Sequence, residues 1–411
     1  MQLSVIILNY NVRYFLELCV LSVQQALIGI DSEIIVIDNN SSDESSTMMQ
    51  ERFPEIKLIQ NYENIGFPKG NNMGVAQAQG KYICILNPDT VVAEDTFVKI
   101  LNFVSSNAVD QNKLGIVGCK LIDGAGNFLP ESKRGVPTPW VAFTKVTGLY
   151  RMFFHWDFWT REFGKYYAMD LAQNQTGKVA ILVGAFMFMK KELYLEVGGF
   201  DENCFMYSDD IDLSYRISKK GKDNYYYHET TVIHYKGEST IKDAKYMQRF
   251  QEAMQFFYTK HFSIPTQNFW TGTFLFSIFM RIGIVFFSLF KRFQGVTSRK
   301  LSSKMLPKNY LLYSTNRKLL NQLAVVLQNK VVFHDLKTEK MVISFSVTSK
   351  RSTEIVLDTD CITFKECILF IESTRNRGRS LEITFKIRPK NANFLIGSNN
   401  SNERGEIIKI A

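Results

Sequence analysis

The chain has 411 residues, of which 45% are hydrophobic and nine are proline; this composition argues against extensive disorder and predicts a large domain with a smaller one. Six scattered cysteines without a CxxC pair argue against a disulfide-rich secreted scaffold and predict reduced thiols in the cytoplasm. The formal net charge is +9, and residues 291–351 carry thirteen Lys and Arg against two acidic residues.

The first ninety residues alternate apolar strand patterns with amphipathic helix patterns. Strands are predicted at Leu3–Leu8, Glu33–Asp38, Ile56–Ile59 and Tyr82–Leu86, and a helix at Tyr14–Ala26. Such alternation favours an α/β fold with a doubly wound, mainly parallel sheet. The first apolar run is too short for a signal peptide, and no basic segment precedes it. No GxGxxG follows the first strand, which disfavours a dinucleotide-dependent enzyme.

Asn87-Pro88-Asp89 directly follows the fourth predicted strand. Because Pro88 cannot donate a ladder hydrogen bond, the strand ends there and Asp89 lies at the carboxyl edge of the sheet, where ligands bind in open α/β folds. One carboxylate among neutral oxygen donors suits a hard divalent cation that bridges phosphates. A turn residue without a ligand is the alternative interpretation.

The stretch from residue 91 to 175 is less regular. It predicts a helix at Thr96–Val104 and a strand at Gly115–Gly118. Residues 130–175 are then rich in aromatic side chains, among them Trp140. These aromatic residues form either a hydrophobic cover over the sheet or an acceptor-side wall for sugar rings or an isoprenoid chain.

A second polar cluster follows the apolar run Val183–Met189, a predicted strand that opens with small residues through which a ligand could approach the backbone closely. Three carboxylates then fall within four residues at Asp209, Asp210 and Asp212. Carboxylates packed so closely repel one another, so burial would raise a pKa or require a cation. The cluster is read either as helix N-capping or as the site of a general base that takes a proton from a hydroxyl.

A third feature is His234, which comes directly after an apolar strand pattern and before Lys236 in a glycine-containing loop. A histidine in this position is a reasonable metal or phosphate ligand, and Lys236 is a candidate hydrogen-bond donor to a phosphate.

Taken together, these motifs resemble the family 2 glycosyltransferases with the GT-A fold, closest to the rhamnosyltransferase-like branch. The resemblance spans residues 1–240, and no single motif is decisive. The motifs, in chain order, are Leu8–Asn11, Asp38–Asp43, Asn64–Phe67 with Gly70, Asn72 and Gly74, Asn87–Asp89, Gly184–Ala185, Gly199–Glu202, Asp209–Leu213 with Arg216, and His234–Ser239.

The resemblance implies transfer of a sugar from a nucleoside diphosphate sugar with inversion at the anomeric carbon. It implies Asp210 as the general base and places Asp209 and Trp140 on the acceptor side. Asp89 and His234 become the candidates to hold Mg²⁺ or Mn²⁺ on the diphosphate. Tyr10 packs on the pyrimidine in this scheme, Asp38 and Asn39 contact the base, and Asn87 lies near the ribose. The donor-binding set implied in this way is Asn9, Tyr10, Asn11, Asp38, Asn39, Asn64, Gly66, Asn72, Asn87, Gly184, Ala185 and Lys236.

The sequence departs from the family pattern at three points. The usual DxD is Asn87-Pro88-Asp89, with one carboxylate missing, as in the rhamnosyltransferase-like branch, and the usual Glu-Asp pair is Asp209-Asp210. Asn39 stands where many UDP-sugar members have Asp, and an amide both donates and accepts, so the base preference stays open. The predicted donor is dTDP-rhamnose or a UDP-sugar.

An apolar segment at Phe269–Phe293 precedes the basic stretch of residues 291–351. Its length would suffice for a membrane span, but Arg281 in its middle favours a helix in the cytoplasmic membrane interface or a re-entrant pair. A buried helix hairpin or an oligomer interface is the alternative. The basic stretch suggests an anionic membrane surface; nucleic acid is disfavoured because no recognition motif is present.

The predicted organisation is therefore a GT-A domain at 1–262, a membrane-associating helical segment at 263–300 and a small α/β domain of unknown role at 301–411. The predicted function is an inverting glycosyltransferase on the inner face of the cell membrane, acting on a saccharide acceptor, expected to be lipid-linked, in bacterial surface polysaccharide synthesis. A catalytically silent sugar-nucleotide or carbohydrate-binding module is the alternative. A nucleotidyltransferase would need a further carboxylate beside Asp89.

Overall fold

The computed structural model describes residues 1–137, 168, 170–236, 244–262, 309–341, 352–377, 383–398 and 405–410. Within these ranges the chain forms two sheets. The strands of the larger sheet are β1 Leu3–Asn9, β2 Ser32–Asp38, β3 Lys57–Gln60, β4 Tyr82–Leu86, β5 Thr90–Val91, β6 Leu114–Ile122, β7 Gly177–Val179, β8 Phe186–Lys190 and β9 Asp223–His234. The accompanying helices are α1 Arg13–Ala26, α2 Ser45–Arg52, α3 Phe67–Gln77, α4 Thr96–Ser105, α5 Lys191–Glu196, α6 Asp209–Lys219 and α7 Ala244–Phe262.

The larger sheet has the order β3-β2-β1-β4-β8-β6-β9-β5, and β7 pairs with β9. Strands β3, β2, β1 and β4 are mutually parallel, and β6 is parallel to β9. Strand β8 runs antiparallel between β4 and β6, so β4, β6 and β9 all point the same way. The predicted α/β class with a mainly parallel sheet is confirmed.

Strand β1 is buried along its whole length, which explains why it reads as a continuous apolar run rather than an alternating one. Helix α3 covers one face of the sheet through its glycines. A Cβ on Gly70 would lie 2.4 Å from Cδ1 of Leu8, and a Cβ on Gly74 would lie 2.6 Å from Cδ1 of Ile37. These glycines therefore let the helix backbone approach the carboxyl ends of β1 and β2, where the polar motifs are.

Three differences from the sequence-based expectation concern strands that carry or adjoin the polar motifs. Strand β8 begins at Phe186 rather than Val183, because Gly184 and Ala185 direct their backbone groups to Asp210 and Asn87 instead of a ladder. Strand β6 extends to Ile122 because it pairs with β9 over most of its length. His234 is the last residue of β9, where it pairs with Thr90, rather than the first residue after the strand.

The smaller sheet consists of β10 Asn309–Ser314, β11 Val331–Asp335, β12 Thr353–Asp358, β13 Ile383–Arg388, β14 Phe394–Gly397 and β15 Glu406–Lys409, in the order β11-β10-β12-β13-β14-β15. Its helices are α8 Arg317–Val326 and α9 Phe364–Arg377. The first four strands in that order are parallel, which agrees with the predicted α/β character. The apolar run Met341–Phe345 also predicts a strand, but apart from Met341 it lies outside the described residues. The predicted domain boundaries stay predictions.

The two sheets are joined by a shared apolar core and by polar contacts. Phe15, Ile233 and Tyr235 belong to the same buried cluster as Leu357 and Ile371. The Glu94 carboxylate accepts hydrogen bonds from the first two backbone N–H groups of α9, each at 2.7 Å. The smaller sheet therefore packs directly beneath the end of β9.

No helix within the described part of the chain combines the length and the apolar character needed to cross a membrane. The predicted membrane-associating segment, Phe269–Phe293, lies outside the described residues, as does the predicted acceptor-side residue Trp140.

Candidate active site

The predicted site residues gather along one edge of the larger sheet. Asn9 ends β1, Asp38 ends β2, Asn87 follows β4 and His234 ends β9. These strands point the same way, and because β8 is antiparallel to β4, its first residue, Phe186, pairs with the last residue of β4. Segments 9–11, 38–41, 87–89, 184–185 and 234–236 therefore lie at the same edge.

Asp38 anchors the loops that follow β1 and β2. Its Oδ1 accepts from Asn9 Nδ2 at 2.8 Å, and its Oδ2 accepts from the Ser41 backbone N–H and the Ser46 hydroxyl, each at 3.0 Å. The Ser41 hydroxyl in turn accepts from the Asn11 backbone at 2.9 Å. Asp38 is 3% exposed. In this conformation its carboxylate therefore holds the loops after β1 and β2 in place and is not free to contact a nucleobase.

Asn39, the next residue, also connects loops at this edge. Its Nδ2 donates to Asn64 Oδ1 and to the Gly66 carbonyl, both at 3.2 Å, and its Oδ1 accepts from Asn61 Nδ2 at 2.8 Å. Gly66 has a φ of +87°, and a Cβ there would lie 3.0 Å from the Phe205 ring, so this turn requires glycine. These hydrogen bonds connect Asn39, Asn64 and Gly66 into one wall of the site. Tyr10, which follows Asn9 at the end of β1, is half-buried.

Asp89 and His234 are the closest pair of candidate metal ligands. Asp89 Oδ1 lies 3.4 Å from His234 Nε2, and Asn87 Nδ2 lies 3.4 Å from the same nitrogen. The strand pairing of β5 with β9, together with a 3.0 Å hydrogen bond from the Tyr235 N–H to the Asp89 carbonyl, fixes this arrangement. Both the Asp89 and His234 side chains are nearly buried.

The donor set fits a divalent cation shared with a diphosphate. One carboxylate and one imidazole are available from Asp89 and His234, and phosphate oxygens and water would supply the remaining ligands of a hard cation. The described residues contain no group of three His, Cys, Asp or Glu placed to hold a metal by themselves. His234 Nδ1 is buried and has no hydrogen-bond partner among the described residues, so the ring still lacks the second contact that usually orients a metal-bound imidazole.

Lys236, the predicted phosphate ligand, is paired with Glu131 in this structure. Lys236 has a φ of +61°, and Glu131 belongs to a short 3₁₀ turn, Pro130–Ser132, after β6. Burial alone would raise the pKa of Glu131, but the Lys236 ammonium outweighs it and lowers that pKa. The ammonium is therefore held at the edge of the sheet by a carboxylate that sequence analysis did not single out.

Asn87 links the candidate metal ligands, Asp89 and His234, to the cluster around Asp210. Its backbone N–H donates to the Ala185 carbonyl at 3.1 Å. The residue before Ala185, Gly184, donates its N–H to Asp210 Oδ2 at 3.0 Å, and a Cβ on Gly184 would lie 3.4 Å from the Asp210 Cβ. The small residues at 184–185 thus connect the candidate base to the candidate metal ligands.

Asp210 lies in the first turn of α6 and is held on both oxygens. Besides Gly184, Arg134 Nη2 donates to its Oδ2 at 2.6 Å, and the Ile211 N–H donates to its Oδ1 at 2.8 Å. The side chains of Asp210 and Arg134 are each 11% exposed. Burial, followed by the neighbouring Asp210 carboxylate, raises the pKa of Asp209 well above its usual range. Of the two adjacent acids, Asp210 is the one that contacts the Arg134 guanidinium.

Asp212, the third acid of the cluster, has a different environment. Its fully buried carboxylate contacts Arg216 at 2.7 Å, Lys260 at 2.9 Å and His261 at 2.6 Å. Burial disfavours its charge, but these three partners outweigh it and lower the pKa of Asp212. Asp212 joins α6 to the end of α7 and takes no part in the edge where the other residues meet.

Asn72 also lies apart from the site, although it was predicted to bind the donor. Its Nδ2 donates to the Phe200 carbonyl at 3.0 Å, and its Oδ1 accepts from the Phe200 N–H at 3.0 Å and from the Tyr194 hydroxyl at 2.5 Å. Both ends of the amide are thus used to tie α3 to the loop after α5. Asn72 is a structural residue in this conformation.

Sequence analysis missed Glu131 and Arg134. Both lie in the segment Leu129–Arg134, at the start of a stretch that read only as irregular and aromatic-rich. Their partners are 105 and 76 residues away in the chain, so no local spacing connects them. The one available signal was a run of charged residues beside prolines in an otherwise apolar region.

The family of the chain follows from residues 2–253, which match the sequence profile of Glycosyltransferase like family 2. The match covers more than half of the 411 residues, so the chain belongs to this family and is a glycosyltransferase. Its mainly parallel α/β sheet is accordingly a GT-A-like fold.

Two of the named relatives are rhamnosyltransferases. It is 25% identical over 222 residues to an N-acetylglucosaminyl-diphospho-decaprenol L-rhamnosyltransferase of Mycobacterium tuberculosis, a match that covers 51% of this chain and 68% of the relative. It is 25% identical over 185 residues to the rhamnosyltransferase WbbL of Escherichia coli, with 41% and 61% covered. The predicted resemblance to the family and to this branch is confirmed.

Among solved structures, the chain is similar to the mannosyltransferase PcManGT of Pyrobaculum calidifontis in complex with GDP-Man and Mn²⁺. The sequence identity is 15%, the TM-score is 0.45, and the match covers 80% of this chain and 81% of that chain.

Proposed function

We propose that the protein is an inverting glycosyltransferase that moves a sugar from a nucleoside diphosphate sugar to a saccharide acceptor. The observation that carries this proposal is the connected series of contacts from His234 and Asp89, through Asn87 and Ala185, to Gly184 and Asp210. These contacts join His234 and Asp89, which suit a metal-bound diphosphate, to Asp210, whose carboxylate can act as a general base. Inversion requires these two functions on opposite faces of the transferred sugar.

In this proposal Asp210 accepts the proton of the acceptor hydroxyl as that oxygen attacks the anomeric carbon, and the bond to the diphosphate breaks. Lys236 exchanges Glu131 for the leaving diphosphate and offsets its charge. Asp89 and His234, with Asn87 beside them, would hold Mg²⁺ or Mn²⁺, which would supply charge neutralisation at the diphosphate. The wall of Asn39, Asn64 and Gly66, with Tyr10, binds the nucleoside.

The proposed donor is dTDP-rhamnose or a UDP-sugar. Two relatives named as rhamnosyltransferases support the first choice. Asn39 supports neither base over the other, because its amide groups are already bonded to Asn61, Asn64 and Gly66. Backbone groups at this edge of the sheet and Tyr10 would then recognise the nucleobase.

The proposed acceptor is a lipid-linked saccharide used in bacterial surface polysaccharide synthesis, met at the inner face of the cell membrane. The name of the mycobacterial relative includes a decaprenol diphosphate, and a Bacillus subtilis relative, 30% identical over 127 residues, is a minor teichoic acid biosynthesis protein. The apolar segment Phe269–Phe293 and the basic residues after it would supply the membrane contact, and Trp140 the acceptor side.

Thermal-shift binding of dTDP-rhamnose, UDP-glucose, UDP-N-acetylglucosamine and GDP-mannose, with and without Mn²⁺, tests the donor half of the proposal. We expect one pyrimidine nucleotide sugar to raise the melting temperature in a metal-dependent way. Asp210→Asn should keep this shift, and Asp89→Ala should lose it. Asp223→Asn, which alters a carboxylate paired with the exposed Lys178 far from this edge, is the control.

Release of nucleoside diphosphate from the donor tests the catalytic half. We expect Asp210→Asn to lower the rate by about 10²–10⁴-fold, the usual contribution of a general base. A catalytically silent binding module would instead show the donor shift without turnover in the unaltered protein. Absence of any donor shift with metal present would contradict the proposed function.

A further inference from the structure

We propose that Arg134 is the positioning residue of this transferase: it holds Asp210 so that Oδ1 faces the acceptor hydroxyl. The inference deepens the proposed function and rests on Asp210 being the base. Its starting point is a buried contact between two residues 76 positions apart, in which Arg134 Nη2 lies 2.6 Å from Asp210 Oδ2.

The position of Arg134 is fixed by its backbone. Arg134 and Ile181 exchange two backbone hydrogen bonds of 2.9 Å, which form an isolated β-bridge. Arg134 Nη2 also donates to the Leu182 carbonyl at 3.3 Å. The segment at 181–184 therefore supports both the guanidinium and the Gly184 N–H, the two donors that bind the same oxygen of Asp210.

These two donors decide which oxygen of Asp210 is available. A carboxylate oxygen accepts about two hydrogen bonds, and Oδ2 already receives one from Arg134 and one from Gly184. Among the described residues, Oδ1 receives one, from the Ile211 N–H at 2.8 Å. Oδ1 thus keeps an open acceptor position, and we assign it as the atom that takes the proton.

Arg134 is also the cation that contacts the carboxylate of Asp210. Asp209 is adjacent on α6, and burial with the Asp210 charge raises the pKa of Asp209, an effect that Arg134 opposes. On the far side of the helix, the charge of Asp212 is matched by Arg216, Lys260 and His261. Among the described loops packed against α6, the segment with Arg134 supplies the cation that contacts Asp210. Without it, two neighbouring carboxyl groups would compete for one charge.

The primary test compares Arg134→Met and Arg134→Lys with the unaltered protein in donor turnover across pH 5.5–9. We expect Arg134→Met to lower kcat about 100-fold, to leave donor KM within threefold, and to move the acidic limb of the kcat profile to higher pH. Arg134→Lys keeps the charge and should recover part of the rate and of the pH profile. Lys133→Met is the matched control, because the Lys133 ammonium donates to the Ala168 carbonyl rather than to Asp210.

A double-mutant cycle on thermal unfolding tests the same contact without substrate. The melting temperatures of Arg134→Met, Asp210→Asn and the double variant are compared with that of the unaltered protein. Coupling predicts that the second substitution costs clearly less once the first is made. Additive effects would show that the pair does not form in solution and would overturn the proposal. If Arg134→Met does not fold, Arg134→Gln, which also removes the charge, carries the cycle.

The outcomes separate this inference from the proposed function. Suppose that Asp210→Asn abolishes turnover but Arg134→Met leaves kcat and the pH profile unchanged. This result would overturn the role of Arg134 and leave the assignment of Asp210 as the base intact. Full turnover in Asp210→Asn would instead overturn the proposed function. A rise in KM without a change in kcat in Arg134→Met would also reject positioning of the base.

Discussion

Single residues at the carboxyl edge of the larger sheet are paired with charged groups from distant parts of the chain. Lys236 is the clearest case, because its ammonium is paired with Glu131 although a phosphate ligand is expected there. A carboxylate that must be displaced competes with the diphosphate for the same cation. The pair would therefore set the affinity for the donor as well as the position of Lys236.

Replacing Glu131 with Gln tests this competition. Glu131→Gln keeps the shape of the side chain but removes its charge, so Lys236 is released and a diphosphate should bind several-fold more tightly. Calorimetric titration with UDP and dTDP in the presence of Mn²⁺ measures the change. Glu55→Gln, at an exposed glutamate that contacts Gln24, should leave the affinity unaltered. Weaker binding in Glu131→Gln would show that Glu131 aids the diphosphate site instead.

Asp209 gives a second prediction at this scale, which concerns pH. Because the pKa of Asp209 is raised in the folded protein, its contribution to stability is present below the unfolded value of about 3.9 and is lost as the pH rises through the folded value. Asp209→Asn, which resembles the protonated acid, should therefore raise the melting temperature at pH 7.5 by several degrees. The gain should vanish near pH 4 in a series of thermal scans; a gain that is independent of pH would contradict this assignment.

At the scale of elements, α6 organises two different environments on its two sides. Its first turn presents Asp210 to the segments that carry Arg134 and Gly184, and its other side uses Asp212 to bind the end of α7. Arg216 on the same helix donates to Asp212 and to the Val197 and Gly199 carbonyls. The helix that carries the candidate base is thus fixed at several points.

Asp212→Asn should release some of this anchoring. Removing one partner of a buried ion pair typically costs about 3–5 kcal/mol, because the remaining charges stay buried without a counter-charge. The lowered pKa of Asp212 means that its contribution is present above about pH 4 and is lost as the pH falls through the lowered folded value. Chemical denaturation should show the full loss at pH 7 and a progressively smaller loss as the pH is lowered below about 4. Asp223→Asn, at a half-exposed pair with Lys178, should change the stability by less than about 1 kcal/mol.

At the scale of the whole molecule, the smaller sheet supports the candidate site from beneath. Tyr235, between His234 and Lys236, packs edge-on against Phe15 in the buried cluster that also contains residues of α9. Lys120 of β6 forms a 2.6 Å ion pair with Glu372 of α9. The described residues of the smaller sheet are therefore joined to the strand end that carries two site residues.

Ile371→Ala tests whether the two sheets unfold together. Ile371 is 1% exposed in the shared cluster, and truncation of a buried isoleucine to alanine costs about 2–5 kcal/mol. We expect the main thermal transition, the one raised by the donor, to fall in temperature. Leu369→Ala, on the same helix but 53% exposed, is the matched control and should shift it little. A separate early transition, with the donor-sensitive one unchanged, would show that the sheets unfold independently.

Much of the fold and some of the site follow from local patterns. Strand β4 lies where the apolar run before Pro88 predicts it, and the order of motifs up to residue 240 predicts the family that residues 2–253 confirm. The edge position of Asp38, Asn87 and Asp89 also follows, because each stands at or just after the end of a parallel strand. These properties depend on residues within one element or its flanking turn.

Only the tertiary structure decided the partners of those residues. Arg134 reaches Asp210, Glu131 reaches Lys236, and α9 reaches Glu94 across 76, 105 and 270 positions of the chain. Asn72, which belongs to a family motif, is used to tie two elements together. The sequence by itself determined which polar side chains stand at the ends of strands, because backbone periodicity is local. Which charge neutralises which depends on how distant segments pack, and no spacing along the chain encodes that choice.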